Sequence, residues 1–308
     1  MTTDASPIDA GDRAPHVARA SALVLFSACC FGSIPILTTL ATGGGARLVD
    51  VLSWRYLIAA VLLVVVSGVR QVRQPMARAV PLLVLAGGGQ AAIAFVSLSA
   101  LRYIPAAMLT FLFYTYPAWV AVISAVRGSE RITRGRAIAL LLSLTGLALM
   151  VGISGGSHLH PLGVALALAS AFMYAAYIPL IDHLGRDLPP SVTSVYASGG
   201  AAVILLAVAF LQGGLGVRFT PVAWSAIGTM AVLSTVLAFI AFLRGLAVIG
   251  PVRTAIVSTI EPFWTALLGA LVLHQTLGPR TLAGGLCIAG AVVLLQLGHG
   301  REITPEPA

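Results

Sequence analysis

The chain contains no lysine and few charges of any kind. All 18 basic residues are arginine, acidic residues number 10, and charged residues make up 9% of the 308 positions. A P-loop needs lysine at its phosphate end, so an ATP-driven pump of that type is excluded. A soluble domain carries about 25% charged residues, and this pool is too small to build an aqueous surface. Cysteine is scarce too. Cys29, Cys30 and Cys287 fall in apolar runs with no CxxC or Cys/His spacing, which gives neither a disulfide framework nor a metal site. No cofactor is indicated. The N-terminus lacks the basic n-region and short apolar core of a cleaved signal peptide. Residues 1–17, with Asp4, Asp9 and Asp12, read as a disordered cytoplasmic tail, and residues 299–308 as a second.

What fills the chain instead is apolar sequence. Hydrophobic residues account for 58% and the mean hydropathy is +0.99. The runs have the length of a bilayer crossing, roughly 20 residues each. Breaks at Arg, Gly, Pro and polar residues predict ten helices at 18–41, 48–69, 79–100, 105–126, 135–153, 161–184, 191–212, 221–243, 251–273 and 280–298. Lipid requires backbone hydrogen bonds to be satisfied within each segment, which favours helices. A transmembrane barrel would show alternating segments of about ten residues, and none occur. The fold expected is an all-α polytopic membrane protein.

Arginine sets the orientation. With the N-terminus inside, cytoplasmic segments hold Arg13, Arg19, Arg70, Arg73, Arg78, Arg127, Arg131, Arg134, Arg136, Arg186, Arg244 and Arg301; the other side holds Arg47, Arg102, Arg218 and Arg280. That bias places both termini in the cytoplasm of a multi-pass cell-membrane (inner-membrane) protein. The same distribution explains a pI near 10.1 without invoking nucleic acid.

The second half repeats the first. Leu101-Arg102-Tyr103-Ile104 returns as Leu246-Ala247-Val248-Ile249, Pro117-Ala118-Trp119 as Pro262-Phe263-Trp264, and Ser33-Ile34-Pro35-Ile36-Leu37 as Tyr177-Ile178-Pro179-Leu180-Ile181. This divides the chain into a five-helix repeat at 18–153, an extracytoplasmic linker at 154–160 and a second five-helix repeat at 161–298. Five is odd, so the second repeat enters the membrane in the opposite sense. Inverted repeats place substrate between the halves near the midplane and exchange by alternating access.

Ionisable residues inside a membrane span are functional by default, and Glu261 is the acid that falls deep within one. It lies about ten residues into the ninth helix, roughly 15 Å from its start. It is expected to hold a substrate ammonium group or to couple protons; the competing account has it satisfying a carbonyl freed by Pro262. Thr254, Ser258, Glu261 and Thr265 share one face at helical spacing, either toward the substrate or as interhelical glue. In the fourth helix Tyr114, Tyr116 and Trp119 lie mid-span with Phe111 and Phe113. Tyr116 occupies the position of Glu261 under the repeat, and Trp119 that of Trp264. These rings suit an apolar or cation-binding wall, with packing the alternative. Gln90, Tyr174, Tyr177, Ser170 and Thr235 rank second. Arg55 is expected to snorkel to the outer interface, as is Arg253 to the inner one. Trp54 and Trp224 read as belt anchors, Pro35, Pro117, Pro179 and Pro262 as kinks, and Gly87-Gly88-Gly89 and Gly284-Gly285 as close-approach sites.

These features resemble the EamA family of the drug/metabolite transporter superfamily. The matching residues are Arg55 within Trp54-Arg55-Tyr56-Leu57-Ile58-Ala59-Ala60, the stretch from Pro117-Ala118-Trp119 through Gly128-Ser129-Glu130-Arg131-Ile132-Thr133, and Glu261-Pro262-Phe263-Trp264 followed by Leu267-Leu268-Gly269-Ala270. The second repeat departs from the family at His274-Gln275-Thr276-Leu277, where a Gly-Glu pair is typical. The resemblance implies a transporter of small metabolites, often an exporter of amino acids. Aromatic walls would suit large apolar or aromatic ones. Expected partners are the small-molecule substrate, the lipid bilayer and coupling protons, with a homodimer as an open assembly. The alternatives are an intramembrane enzyme, for which clustered acids or metal ligands are lacking, and a passive channel, for which no filter signature appears.

Overall fold

A computed structural model of the chain describes residues 10–68, 72–126, 134–151, 160–185, 187–258 and 260–302. Gly128–Thr133, most of the linker and both extreme termini lie outside the described residues. Among the described residues every regular element is helical. Six helices are long and apolar enough to cross a membrane, with shorter apolar helices among them.

The elements fall into ten stretches, close to those expected. The first is Ala10–Gly32 followed by Ile34–Gly43, so residues 10–17, expected as disordered tail, extend a helix instead. Then come Leu48–Ser67, a third built from Met76–Pro81, Leu82–Ala86, Gly87–Ser99 and Ala100–Arg102, a fourth of Ala106–Phe113 and Tyr116–Val126, and a fifth at Arg134–Val151. The second unit repeats this with Pro161–Gly185, Pro190–Leu211, an eighth stretch opening with Pro221–Ala231 and Val232–Leu237, a ninth ending in Ile260–Leu273, and Pro279–Glu302. Leu82–Ala86 and Val232–Leu237 are π-helical, in equivalent spans of the two units.

One boundary differs from expectation. The helix Ala238–Ser258 runs through Gly250-Pro251, where a break was expected. The chain nonetheless reverses. Phe31 meets Phe242 edge-to-face and Gly245 packs on Val24 and Ala20, an antiparallel pairing with the first span. Gly32 then meets Glu261 and Thr265, and Ile36 meets Gly269, a parallel pairing. The eighth and ninth spans therefore flank the first in opposite directions.

Pairing across the units is two-fold in pattern. The second span packs on the seventh, the fourth on the ninth and the fifth on the tenth, while first-with-eighth exchanges for sixth-with-third. Glycine permits the closest of these crossings. A Cβ on Gly200 would stand 2.8 Å from the Leu83 carbonyl carbon and 3.0 Å from Gly87 Cα. Gly285 likewise faces the Phe111 ring, and Gly146 the Gly284 carbonyl, which bears out the close-approach reading of both glycine runs.

Loops that join odd spans to even ones gather at one face. Ala106 N donates to Gln275 Oε1 at 3.2 Å, Tyr103 lies on His160, and Thr220 N donates to the Gly44 carbonyl. On that face a clasp joins the first and second units. Arg47 grips Asp50 through two 2.7 Å hydrogen bonds and donates onward to the Gln212 and Gly214 carbonyls. Asp50 also accepts from Gly216 N at 3.0 Å, and Trp54 Nε1 donates to the Gly216 carbonyl at 2.9 Å. Trp54 and Trp224, expected as separate interface anchors, meet edge-to-face at 5.2 Å. On the opposite face Arg78 pairs with Asp187, and Tyr196 Oη donates to the Val72 carbonyl. Large apolar side chains such as Val65, Val203, Leu211 and Leu271 point outward, as a lipid-facing belt requires.

Candidate functional site

Two breaks in helical geometry surround the centre of the bundle. The first span is interrupted at Ser33, just ahead of Pro35 at the start of its second segment. The fourth is interrupted at Tyr114-Thr115. Pro179, the repeat partner of Pro35, lies inside an unbroken helix. Each break frees backbone groups and leaves room for side chains to converge, as discontinuous spans do in transporters.

They converge on a cavity of about 430 Å³, within the usual range of roughly 300–1,000 Å³ for small-molecule sites. Eight of its lining residues are aromatic. Phe113, Tyr114, Tyr116, Tyr174 and Tyr177 form a continuous series with centroid separations from 4.9 to 6.5 Å. Tyr177 is fixed by donating its hydroxyl to the Ala86 carbonyl, and Gln90 donates to Tyr56 Oη at 3.0 Å.

Two residues lining the cavity carry charge, Arg55 and Glu261. Glu261 lies in the helical stretch Ile260–Leu273. Its Oε2 lies 2.8 Å from Tyr114 Oη, and the same hydroxyl lies 2.8 Å from the Ser258 carbonyl. A tyrosine hydroxyl has one hydrogen to give. When it goes to Ser258, the contact with Glu261 needs a protonated carboxyl donating to Tyr114; when Glu261 is ionised, the hydrogen goes to Glu261. The arrangement is a hydrogen-bond relay with two proton positions, set beside the break in the fourth span.

The polar stripe expected along the ninth helix does not face the cavity as a unit. Glu261 faces the cavity, but the Thr265 hydroxyl donates to the Gly32 carbonyl at 2.7 Å and acts as glue to the first span. Thr254 is buried away from the cavity, and Ser258 contributes its backbone carbonyl. Trp264 Nε1 donates to Ser33 Oγ at 3.1 Å, and Trp119 stands edge-on to Phe172. Thr254, Ser258, Thr265, Trp119 and Trp264 do not line the cavity; Glu261, Tyr114, Tyr116, Gln90, Tyr174 and Tyr177 do.

Arg55 requires a correction. Expected at the lipid interface, it is 6% exposed, lines the cavity and donates from Nε to Thr235 Oγ1 at 3.1 Å. Its guanidinium carbon lies 5.1 Å from the Tyr56 ring centre. The side chain of Arg253 lies outside the described residues. The available signal for Arg55 was its depth in an apolar run, the rule already applied to Glu261. The two π-helices beside Gln90 and Thr235, an arrangement frequent at functional sites, left no sequence mark.

Ten helical stretches in two five-span units, enclosing a polar-centred cavity, define a polytopic membrane protein of transporter architecture. The EamA-like transporter family model matches residues 18–152 and 161–297, and the chain belongs to that family. Similar proteins include two from Bacillus subtilis (strain 168): "Uncharacterized transporter YdeK", 28% identical over 69% of this chain and 75% of that protein, and "Uncharacterized transporter YcbK", 26% identical over 58% and 59%. An "Uncharacterized transporter" of Archaeoglobus fulgidus (strain ATCC 49558 / DSM 4304 / JCM 9628 / NBRC 100126 / VC-16) is 28% identical over 64% of this chain and 69% of its own length. The matched region thus spans about three-fifths of YcbK. A solved crystal structure shares the fold, with a TM-score of 0.64 at 18% identity, covering 93% of this chain and 99% of that one.

Proposed function

We propose that this membrane transporter is a secondary exporter of small amine-bearing metabolites, amino acids foremost, working by alternating access with Glu261 as its binding and proton-coupling carboxylate. The observation that carries the reading is Glu261 on the wall of a central aromatic cavity, hydrogen-bonded to Tyr114. A carboxylate at that depth is costly unless it meets a cation, a proton or water. A substrate ammonium meets it, and the adjoining rings favour cations and apolar side chains. The relay through Tyr114 couples the protonation state of Glu261 to the hydrogen bond at the Ser258 carbonyl, which joins the fourth span to the ninth. Export rather than import follows the family resemblance.

The test is efflux and resistance profiling of an overexpressing strain against amino acids and their toxic analogues, followed by reconstitution. Raised resistance to amino-acid analogues that Glu261→Gln abolishes supports the reading. A profile confined to substrates lacking an amine removes it.

A further inference from the structure

We infer that Arg55 recognises a substrate carboxylate, so that the cavity takes a zwitterion held between Arg55 and Glu261. This rests on the amino-acid reading above and adds a second anchoring point to it.

The guanidinium has five N–H donors in a planar fork. One is used, by Thr235 Oγ1, and that acceptor is neutral. The side chain is more than nine-tenths buried and lies on the cavity wall. Among the described residues no carboxylate pairs with it, and none of its nitrogens is shut away from the cavity as an orphan. Glu261 is in the complementary position, with a neutral tyrosine as its hydrogen-bond partner and no cation within ion-pair distance. Two opposite charges thus line one cavity inside a membrane, each without a protein counter-charge. Each is costly alone. A zwitterion supplies both counter-charges at once, and a guanidinium fork matches a planar carboxylate bidentately.

The two units divide these roles. Aligning Ala59-Ala60-Val61-Leu62-Leu63 with Ala201-Ala202-Val203-Ile204-Leu205 puts Ala197 at the position of Arg55. Tyr116 stands at the position of Glu261. Ala197 and Tyr116 both line the cavity. The first unit therefore contributes the cation and the second the anion, on a scaffold that is otherwise symmetric. Counted from the helix ends at the clasp face, Arg55 lies roughly 10 Å deep and Glu261 roughly 18 Å. The carboxylate of the substrate points toward the clasp and its ammonium toward the centre.

The test uses the purified full chain in proteoliposomes with labelled L-phenylalanine, competed by L-phenylalaninamide, phenethylamine and 3-phenylpropionate. In the wild type L-phenylalanine competes best, and the amide and amine are weaker by roughly 10- to 100-fold, as expected for a lost charge-assisted pair. R55Q loses affinity for L-phenylalanine by that factor and no longer separates acid from amide. A purely structural arginine would alter transport without altering that ratio. R55K keeps the charge without the fork, and its acid-to-amide ratio falls between the two; it carries the test if R55Q does not fold. An acid-to-amide ratio in R55Q or R55K equal to that of the wild type overturns the inference. Failure of the wild type to transport any amino acid would instead overturn the proposed function beneath it.

Discussion

Replacing Asp50 with alanine should loosen the clasp that ties the two units at one membrane face. The carboxylate is 1% exposed and fully used, accepting two 2.7 Å bonds from Arg47 and one of 3.0 Å from Gly216 N. Removing it leaves the Gly216 N–H without its acceptor, worth about 1–3 kcal/mol. It also breaks a bidentate charged pair. Arg47 is 42% exposed on its side chain and recovers that loss from water, so the pair itself adds little. The expected destabilisation is about 1–3 kcal/mol for Asp50→Ala, and about half that for Asp50→Asn, which keeps one acceptor. Equilibrium unfolding in mixed micelles followed by tryptophan fluorescence suits the site, because Trp54 and Trp224 are two of the four tryptophans and sit at the clasp. A loss below about 0.5 kcal/mol for Asp50→Ala would refute the view that this carboxylate holds the units together.

Other expectations follow from single contacts. Gly200→Ala sets a methyl against the backbone of Leu83 and Gly87, which cannot yield as a side chain would; a loss of about 1–3 kcal/mol is expected by the same unfolding assay, and wild-type stability would show that the third and seventh spans do not cross this closely. Tyr114→Phe leaves Glu261 and the Ser258 carbonyl without their shared donor. It should cut transport by about 10-fold, the scale of one such hydrogen bond, and blunt its pH dependence; an unchanged pH profile would take Tyr114 out of the relay.

Much of the fold was legible because it follows from length and composition. Apolar runs of bilayer length and the recurrence of Pro117-Ala118-Trp119 as Pro262-Phe263-Trp264 announce ten spans in two units. Glu261 was legible for a similar reason, since a mid-span carboxylate needs a partner. The rest depended on geometry that pattern does not carry. A polar stripe from Thr254 to Thr265 presumes that all four residues look the same way, whereas Thr265 bonds the first span and only Glu261 of the four lines the cavity. The direction of Arg55 turns on whether the second span presents that face to lipid or to the eighth span. Sequence spacing is the same in both cases. Asp50 was overlooked because it stands near a span end, where a carboxylate is ordinarily solvated, and only folding brings Gly216 over it.

The central claim is that Glu261 serves the transport cycle directly. Its most direct test is efflux of labelled L-phenylalanine from proteoliposomes containing wild type or Glu261→Gln across a range of pH, with equal incorporation of both proteins. The account predicts pH-dependent efflux in the wild type and, in the variant, efflux that is abolished or independent of pH. Full transport by Glu261→Gln with the wild-type pH profile would contradict it.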